Sequence, residues 1–270
     1  MRSGAFQDKV VLITGAASGI GRALSLEFAA AGARLGLLDL DGERVQAWAG
    51  VLRDKGYQAL PQACDVAEEM TCRSAVEAVQ AHYARLDVLV NNAGITQRDA
   101  FANTDPEVIR KVMDVNFFGS VNCTKAALPF LLQNRGQIIV TSSIAGLAPL
   151  PGRSGYCASK HALHGFFRSL RLELGDQGLR VLLVCPSFVR TNLQTRALGG
   201  DGEVTAHPQS TIGKQALPGA TARAIVRAAA RNRKLLVLSP AGKAARFMDR
   251  LCPSFYEWFV SRSLKSEIER

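Results

Sequence analysis

The stretch KVVLITGAASGIG, residues 9–21, decides the fold. Its apolar run from Val10 to Ile13 suits a strand buried on both faces, as in a parallel sheet covered by helices. The run stops at glycines 15, 19 and 21, and helical spacing of apolar residues starts near Ile20. Gly15 permits a tight turn, Gly19 lets the backbone approach a pyrophosphate, and Gly21 lets the helix pack closely on the strand. Ser18 and Ile20 complete the turn, and the first amides of the helix offer an anion free N–H groups and a partial positive charge. A glycine-rich turn alone says little; strand, glycines and helix in that order point to a dinucleotide.

Outward from this stretch, apolar runs alternate with amphipathic segments, the pattern of repeated βαβ units. Strands are expected at 9–14, 34–39, 86–92, 136–142, 179–185 and 234–239, with a weaker one at 57–64. Helices are expected at 19–31, 42–55, 67–84, 106–133 and 156–175. No repeat or linker divides the chain, so residues 1–240 read as one α/β domain and 241–270 as a helical extension. Residues 190–218 lack periodicity and follow the sixth strand, where ligands sit in open α/β sheets; they read as a lid over a substrate.

Composition narrows the function. The 270 residues are 47% apolar, enough for a substantial core. The net charge of +10 is uneven: residues 1–150 hold 14 basic and 15 acidic side chains, residues 151–270 hold 19 and 8. The basic residues stand singly without interleaved aromatics, which argues against nucleic acid as a partner. Six cysteines, without CxxC pairs or regular spacing, argue against a metal site and for reduced thiols. The N-terminus reads as neither signal peptide nor membrane span, so a cytoplasmic protein is expected.

Asp39 closes the second strand about 20 residues past the glycines, where a carboxylate accepts the hydroxyls of an adenosine ribose. Its charge repels a 2′-phosphate, which favours NAD(H) over NADP(H), although Asp39 or Asp41 also suits the cap of the helix from 42. Arg22 is the nearby cation that would soften the preference, so NADP(H) stays open. Further on, Tyr156 and Lys160 in SGYCASK stand four residues apart, on one helical face. A cation beside a phenol favours the phenolate and lowers a pKa that otherwise lies near 10. Tyr156 thereby becomes a candidate general acid or base.

Taken together, TGAASGIG (14–21), NNAG (91–94), Ser143 and YCASK (156–160) resemble the short-chain dehydrogenase/reductase family. The resemblance implies a single Rossmann-type, doubly wound domain with a seven-stranded parallel sheet and a homodimer or homotetramer. It implies that Asp65 and Val66 hold the adenine and that Asn92, Ala93 and Gly94 form a floor beneath the ribose. Val189 and Thr191 would meet the nicotinamide and the pyrophosphate; Pro186-Ser187 stands where the family often has Pro-Gly. The catalytic set would be Asn116, Ser143, Tyr156 and Lys160, with Tyr156 and Lys160 also touching the cofactor. Tyr156 would exchange a proton with the substrate oxygen, Ser143 would hydrogen-bond it, Lys160 would hold the ribose, and Asn116 would kink a helix and steady a relay water.

The substrate is expected to be an apolar ketone or alcohol such as a steroid or acyl compound, because Leu147, Leu150, Phe188 and Leu193 surround the motifs. Arg153, Arg190 and Arg196 leave an acidic group open. Cys157, Ala158 and Ser159 read as small fillers that let their helix pack closely, and His161, His164 and His207 as structural. The rival class is a sensor or scaffold that keeps the cofactor and lacks chemistry; it has no need of Tyr156. In the extension, Ala244, Phe247, Met248, Leu251, Phe255, Trp258 and Phe259 form an apolar stripe with cations around it, suited to another subunit first and to peripheral membrane contact second.

Overall fold

The computed structural model describes residues 4–205 and 215–265. Its strands are β1 (Val10–Thr14), β2 (Arg34–Asp39), β3 (Ala59–Ala63), β4 (Val88–Asn91), β5 (Gln137–Thr141), β6 (Arg180–Cys185) and β7 (Leu235–Val237). They form one parallel sheet in the order β3-β2-β1-β4-β5-β6-β7. The helices between them are α1 (Gly19–Ala30), α2 (Gly42–Asp54), α3 (Glu69–Tyr83), α4 (Pro106–Met113), α5 (Gly119–Gln133), α6 (Ser154–Leu174) and α7 (Pro218–Ala230). Two more, α8 (Pro240–Leu251) and α9 (Pro253–Ser263), follow the last strand.

Side chains alternate across each strand, so one apolar run feeds two cores. Val11 and Ile13 pack with Phe28 of α1, Trp48 of α2 and Ile225 of α7. Val10 and Leu12 pack with Val76 of α3, Ala127 of α5 and Phe167 of α6. This is the doubly wound arrangement expected from continuous apolar strands. Each such side chain removed from water contributes about 1.5–3 kcal/mol.

The expected helix over 106–133 is continuous but not uniform: a π turn at Asp114–Phe118 lies between α4 and α5. The expected strand 86–92 shortens to Val88–Asn91. Asp87 stands just before it, its amide donating to the Val10 carbonyl at 3.0 Å while its carboxylate accepts from the Val10 amide at 3.0 Å, Lys9 Nζ at 2.9 Å and Arg85 Nε at 2.7 Å. Its carbonyl accepts from Gln137 N at 2.9 Å, so one residue joins the entry ends of β1, β4 and β5.

The segment 190–205 has no helix; isolated bridges tie Gln97 to Leu198 and Leu198 to Val204, and Val189 pairs with Ala216. The rest of the expected lid, 206–214 with His207, lies outside the described residues. Among the described residues no helix is long and apolar enough to cross a membrane, and no cluster of three His, Cys, Asp or Glu is placed to hold a metal ion.

Burial alone would raise the Asp87 carboxyl, but hydrogen bonds from Arg85, the Val10 amide and Lys9 hold it below the usual value. A depressed folded-state pKa gives stability that is complete above the unfolded pKa, about 4, and lost as pH falls through the folded one. Asp87→Asn is therefore expected to lower the urea midpoint at pH 7 and to flatten its decline as pH falls below about 4, measured by urea melts across acid pH.

Candidate active site

The sheet grows in opposite directions from β1 and β4, and the C-terminal ends of those strands open a crevice. A cleft of about 510 Å³ lies there. Gly15, Ser18, Gly19 and Ile20 line it from the first turn, and Asn92, Ala93 and Gly94 from the end of β4. Gly15 and Gly19 have φ of +64° and +52°, the left-handed region that glycine enters at no steric cost. A Cβ on Gly21 would collide with the Gly15 carbonyl, so α1 starts hard against the turn. Ser18 caps α1 through its backbone, and its hydroxyl makes no capping bond.

Thr14 holds the crevice together, and its motif position had given no role for its hydroxyl. That oxygen accepts from the amides of Asn92 and Ala93, both at 2.9 Å, and donates to the Val90 carbonyl at 3.3 Å. The Asn92 side-chain amide donates back to the Thr14 carbonyl at 3.0 Å.

Ser143, Tyr156 and Lys160 line the same cleft. Ser143 caps a short 3-10 turn after β5, accepting from Ala145 N at 3.1 Å. Tyr156 and Lys160 come from the first two turns of α6, and Lys160 Nζ lies 5.6 Å from the Tyr156 ring centroid while donating to the Thr141 carbonyl at 3.0 Å. Burial lowers the Lys160 ammonium to about 8. Burial raises the Tyr156 phenol; a hydrogen bond with Ser143 and the charge of Arg153 pull it down by less. The expectation that Lys160 lowers the phenol is thus corrected for the protein on its own: the desolvation cost of a phenolate wins.

Asn116 sits fully buried in the π turn behind the cleft. Its Nδ2 donates to the Ile95 carbonyl at 3.0 Å and to Ser159 Oγ at 2.9 Å, and its Oδ1 accepts from Ile95 N at 2.9 Å. Ser159 also donates to the Tyr156 carbonyl at 2.8 Å, so it is a bonded link between the π turn and α6, not the filler expected. A Cβ on Gly94 would lie 2.8 Å from Asn116 Oδ1 and 3.5 Å from Lys160 Nζ; only glycine fits between them.

Asp39, Asp65, Val66 and Gly21 do not line this cleft. Asp39 closes β2 and braces the turn, accepting from Ala17 N at 2.8 Å; it is Asp41 that caps α2, through Arg44 N at 3.0 Å. Arg22 lies over the Trp48 ring, 4.1 Å from its centroid. Asp65 accepts from Ala67 N at 3.0 Å, and Asn122 donates to the Val66 carbonyl at 3.1 Å. Val189 and Thr191 line the cleft, with Thr191 beside Gly19.

Leu150, Phe188, Leu193, Arg153 and Arg196 also face in, while Leu147 and Arg190 do not. The remaining wall comes from α8 and α9, through Met248, Tyr256, Phe259 and Val260. Of the expected stripe, Phe247, Leu251, Phe255 and Trp258 are exposed and Met248 turns inward; the buried face is formed by Ala245, Met248, Tyr256, Val260 and Leu264, which pack with Ala148 and Leu150. Pro253 starts a second helix, and that turn resets the buried face.

A family model described as short chain dehydrogenase matches residues 9–199. The chain belongs to the short-chain dehydrogenase family. It is an oxidoreductase of that class. Among its relatives, dehydrogenase/reductase SDR family member 7B of Xenopus tropicalis is 35% identical, covering 99% of this chain and 89% of that one. The 11-beta-hydroxysteroid dehydrogenase 1A of Arabidopsis thaliana is 37% identical over 93% of this chain and 74% of its own. A short-chain dehydrogenase/reductase of Burkholderia phymatum, solved in complex with NAD, superposes with a TM-score of 0.83 at 25% identity, covering 93% and 96% of the two chains.

Because the Thr14 hydroxyl is the acceptor for two amides, Thr14→Val is expected to cost about 2–4 kcal/mol, whereas Thr14→Ser keeps most of the stability. Urea denaturation of the two variants beside the native protein measures this.

Proposed function

We propose that this oxidoreductase interconverts a secondary alcohol and a ketone on an apolar substrate, with NAD(H) favoured over NADP(H). The observation that carries the reading is that Ser143, Tyr156 and Lys160 line one cleft together with the glycine turn. A nicotinamide dinucleotide fits the residues present. Gly15 and Gly19 leave the turn free of side chains, α1 begins without a side-chain acceptor on its first amides, and Thr191 stands beside Gly19. Asp39 and Asp65 end β2 and follow β3, suited to the ribose and adenine ends, with Val66 beside them.

A nicotinamide dinucleotide held by these residues would supply or receive the hydride. The chain's own contribution is protonic and electrostatic. Tyr156, held neutral by burial at physiological pH, is a ready acid for the oxygen of a ketone. Ser143 donates a hydrogen bond to that same oxygen. Lys160, mostly charged below about 8, stabilises the phenolate left behind. Asn116 acts by position, holding Ile95 and Ser159 and hence the start of α6.

The apolar side chains of Leu150, Phe188, Leu193 and Met248 support an apolar substrate, and the hydroxysteroid dehydrogenase relative is consistent with one. Arg153 and Arg196 in the same cleft bring carboxylate-bearing ketones into the test. That test is a screen of ketones and secondary alcohols with both cofactors, read by nicotinamide absorbance; no turnover of any would favour the sensor class instead.

Tyr156→Phe is expected to lower turnover by about 10²–10⁴-fold or more with NADH affinity, followed by fluorescence titration, nearly unchanged. In the native enzyme, alcohol oxidation should climb toward alkaline pH as the raised phenol ionises, and ketone reduction should not. Substantial activity in the variant would sink the assignment.

Asp39→Asn keeps the acceptor for Ala17 N and removes the charge. It is expected to improve kcat/KM for NADP(H) relative to NAD(H) by about tenfold or more. A native enzyme that already prefers NADP(H) in steady-state kinetics contradicts this reading of Asp39.

A further inference from the structure

The two helices that wall the cleft carry a second, outward surface. Phe247, Leu251, Phe255 and Trp258 expose between 66% and 51% of their area, and Phe259, which also lines the cleft, exposes 41%. Phe255 and Trp258 stack with ring centroids 5.8 Å apart, and the Arg262 guanidinium lies 4.8 Å over the Trp258 ring. The inner faces of the same helices are fixed to the body, where the Tyr256 hydroxyl donates to the Pro149 carbonyl at 2.9 Å. The outer aromatics are therefore held in place on a packed element. A clustered apolar surface of this kind marks a contact with something.

Charge decides what that is. On the two helices Lys243, Arg246, Arg250 and Arg262, all exposed, outnumber Asp249 and Glu257. A second copy meeting this face through a two-fold axis would bring the same cationic surround against itself. An anionic lipid surface complements it, with aromatic rings at the headgroup boundary and Arg and Lys on the phosphates.

We propose that α8 and α9 dock the protein on an anionic bilayer, and that the apolar substrate passes between the lipid and the cleft beside Phe259. The delivery part rests on the reading of an apolar ketone or alcohol as substrate; the docking part does not.

The test is flotation of the full chain with phosphatidylcholine vesicles, with and without phosphatidylserine. Flotation is expected with the anionic vesicles, weakened by salt by up to about fivefold per engaged cation. The double variant Phe247→Asp/Trp258→Asp, both positions exposed and outside the cleft, should lose vesicle binding by at least about tenfold with an unchanged thermal melt. It should also lose turnover of a long-chain ketone carried in the vesicles while retaining that of a short soluble ketone. Docking is overturned if the native chain floats with neither vesicle or if the variant floats equally well. It is likewise overturned if sedimentation shows a lipid-independent oligomer that the variant dissociates, since the face is then a subunit contact. Equal loss or equal retention of both ketone activities overturns delivery. If the native enzyme turns over neither ketone, the substrate reading falls and flotation alone decides docking.

Discussion

The site depends on how two adjacent parallel strands part. β1 and β4 pair through Ile13 and Val90, and one residue later the ladder ends. At that point the Thr14 hydroxyl takes over, with Asn92 N, Ala93 N and the Val90 carbonyl as its partners. A side-chain oxygen has what the backbone ladder lacks here: it accepts twice and donates once from a single atom. The glycine turn can then leave on one side and the Asn92–Gly94 segment on the other without unpaired amides between them. Buried amides lacking that oxygen would each cost about 1–3 kcal/mol.

From this junction a chain of hydrogen bonds runs across the sheet to α6. Asn92 accepts from the Thr141 hydroxyl at 3.4 Å, and the Thr141 carbonyl accepts from Lys160 Nζ at 3.0 Å. Three strands and a helix are thereby registered at their functional ends. The same arrangement explains why a buried lysine is tolerated. Its hydrogen bond satisfies one proton, and the remaining desolvation appears as a depressed pKa.

The sheet, its helices and the lining role of the glycine turn, Ser143, Tyr156 and Lys160 were readable because each rests on local spacing. Strand alternation, glycine positions and the four-residue step from Tyr156 to Lys160 need no tertiary information. What could not be read depends on burial and on partners distant in sequence. The direction of the Tyr156 shift follows from how deeply α6 is covered, which no motif records. Thr14 and Ser159 carry short polar side chains whose importance lies in partners 78 and 43 residues away. The buried face of α9, with Tyr256 and Val260, went unread because both faces of that helix are apolar. Periodicity finds a polar side, and here the buried set includes a tyrosine while phenylalanines stay outside.

The π turn lets one continuous helix serve two neighbours. Val112 packs with Tyr156 and Cys157, whereas Cys123 packs with Cys72 and Val76 of α3. These two buried positions are eleven residues apart, which in an uninterrupted α-helix would leave them within about 20° of the same face. The widened turn at Asp114–Phe118 absorbs roughly one extra residue, and so shifts the angular phase of everything after it. Loss of a single residue there would leave either α6 or α3 facing the wrong side of the helix. The length of this turn is thus a phase constraint that couples the catalytic helix to packing on the far side of the same layer.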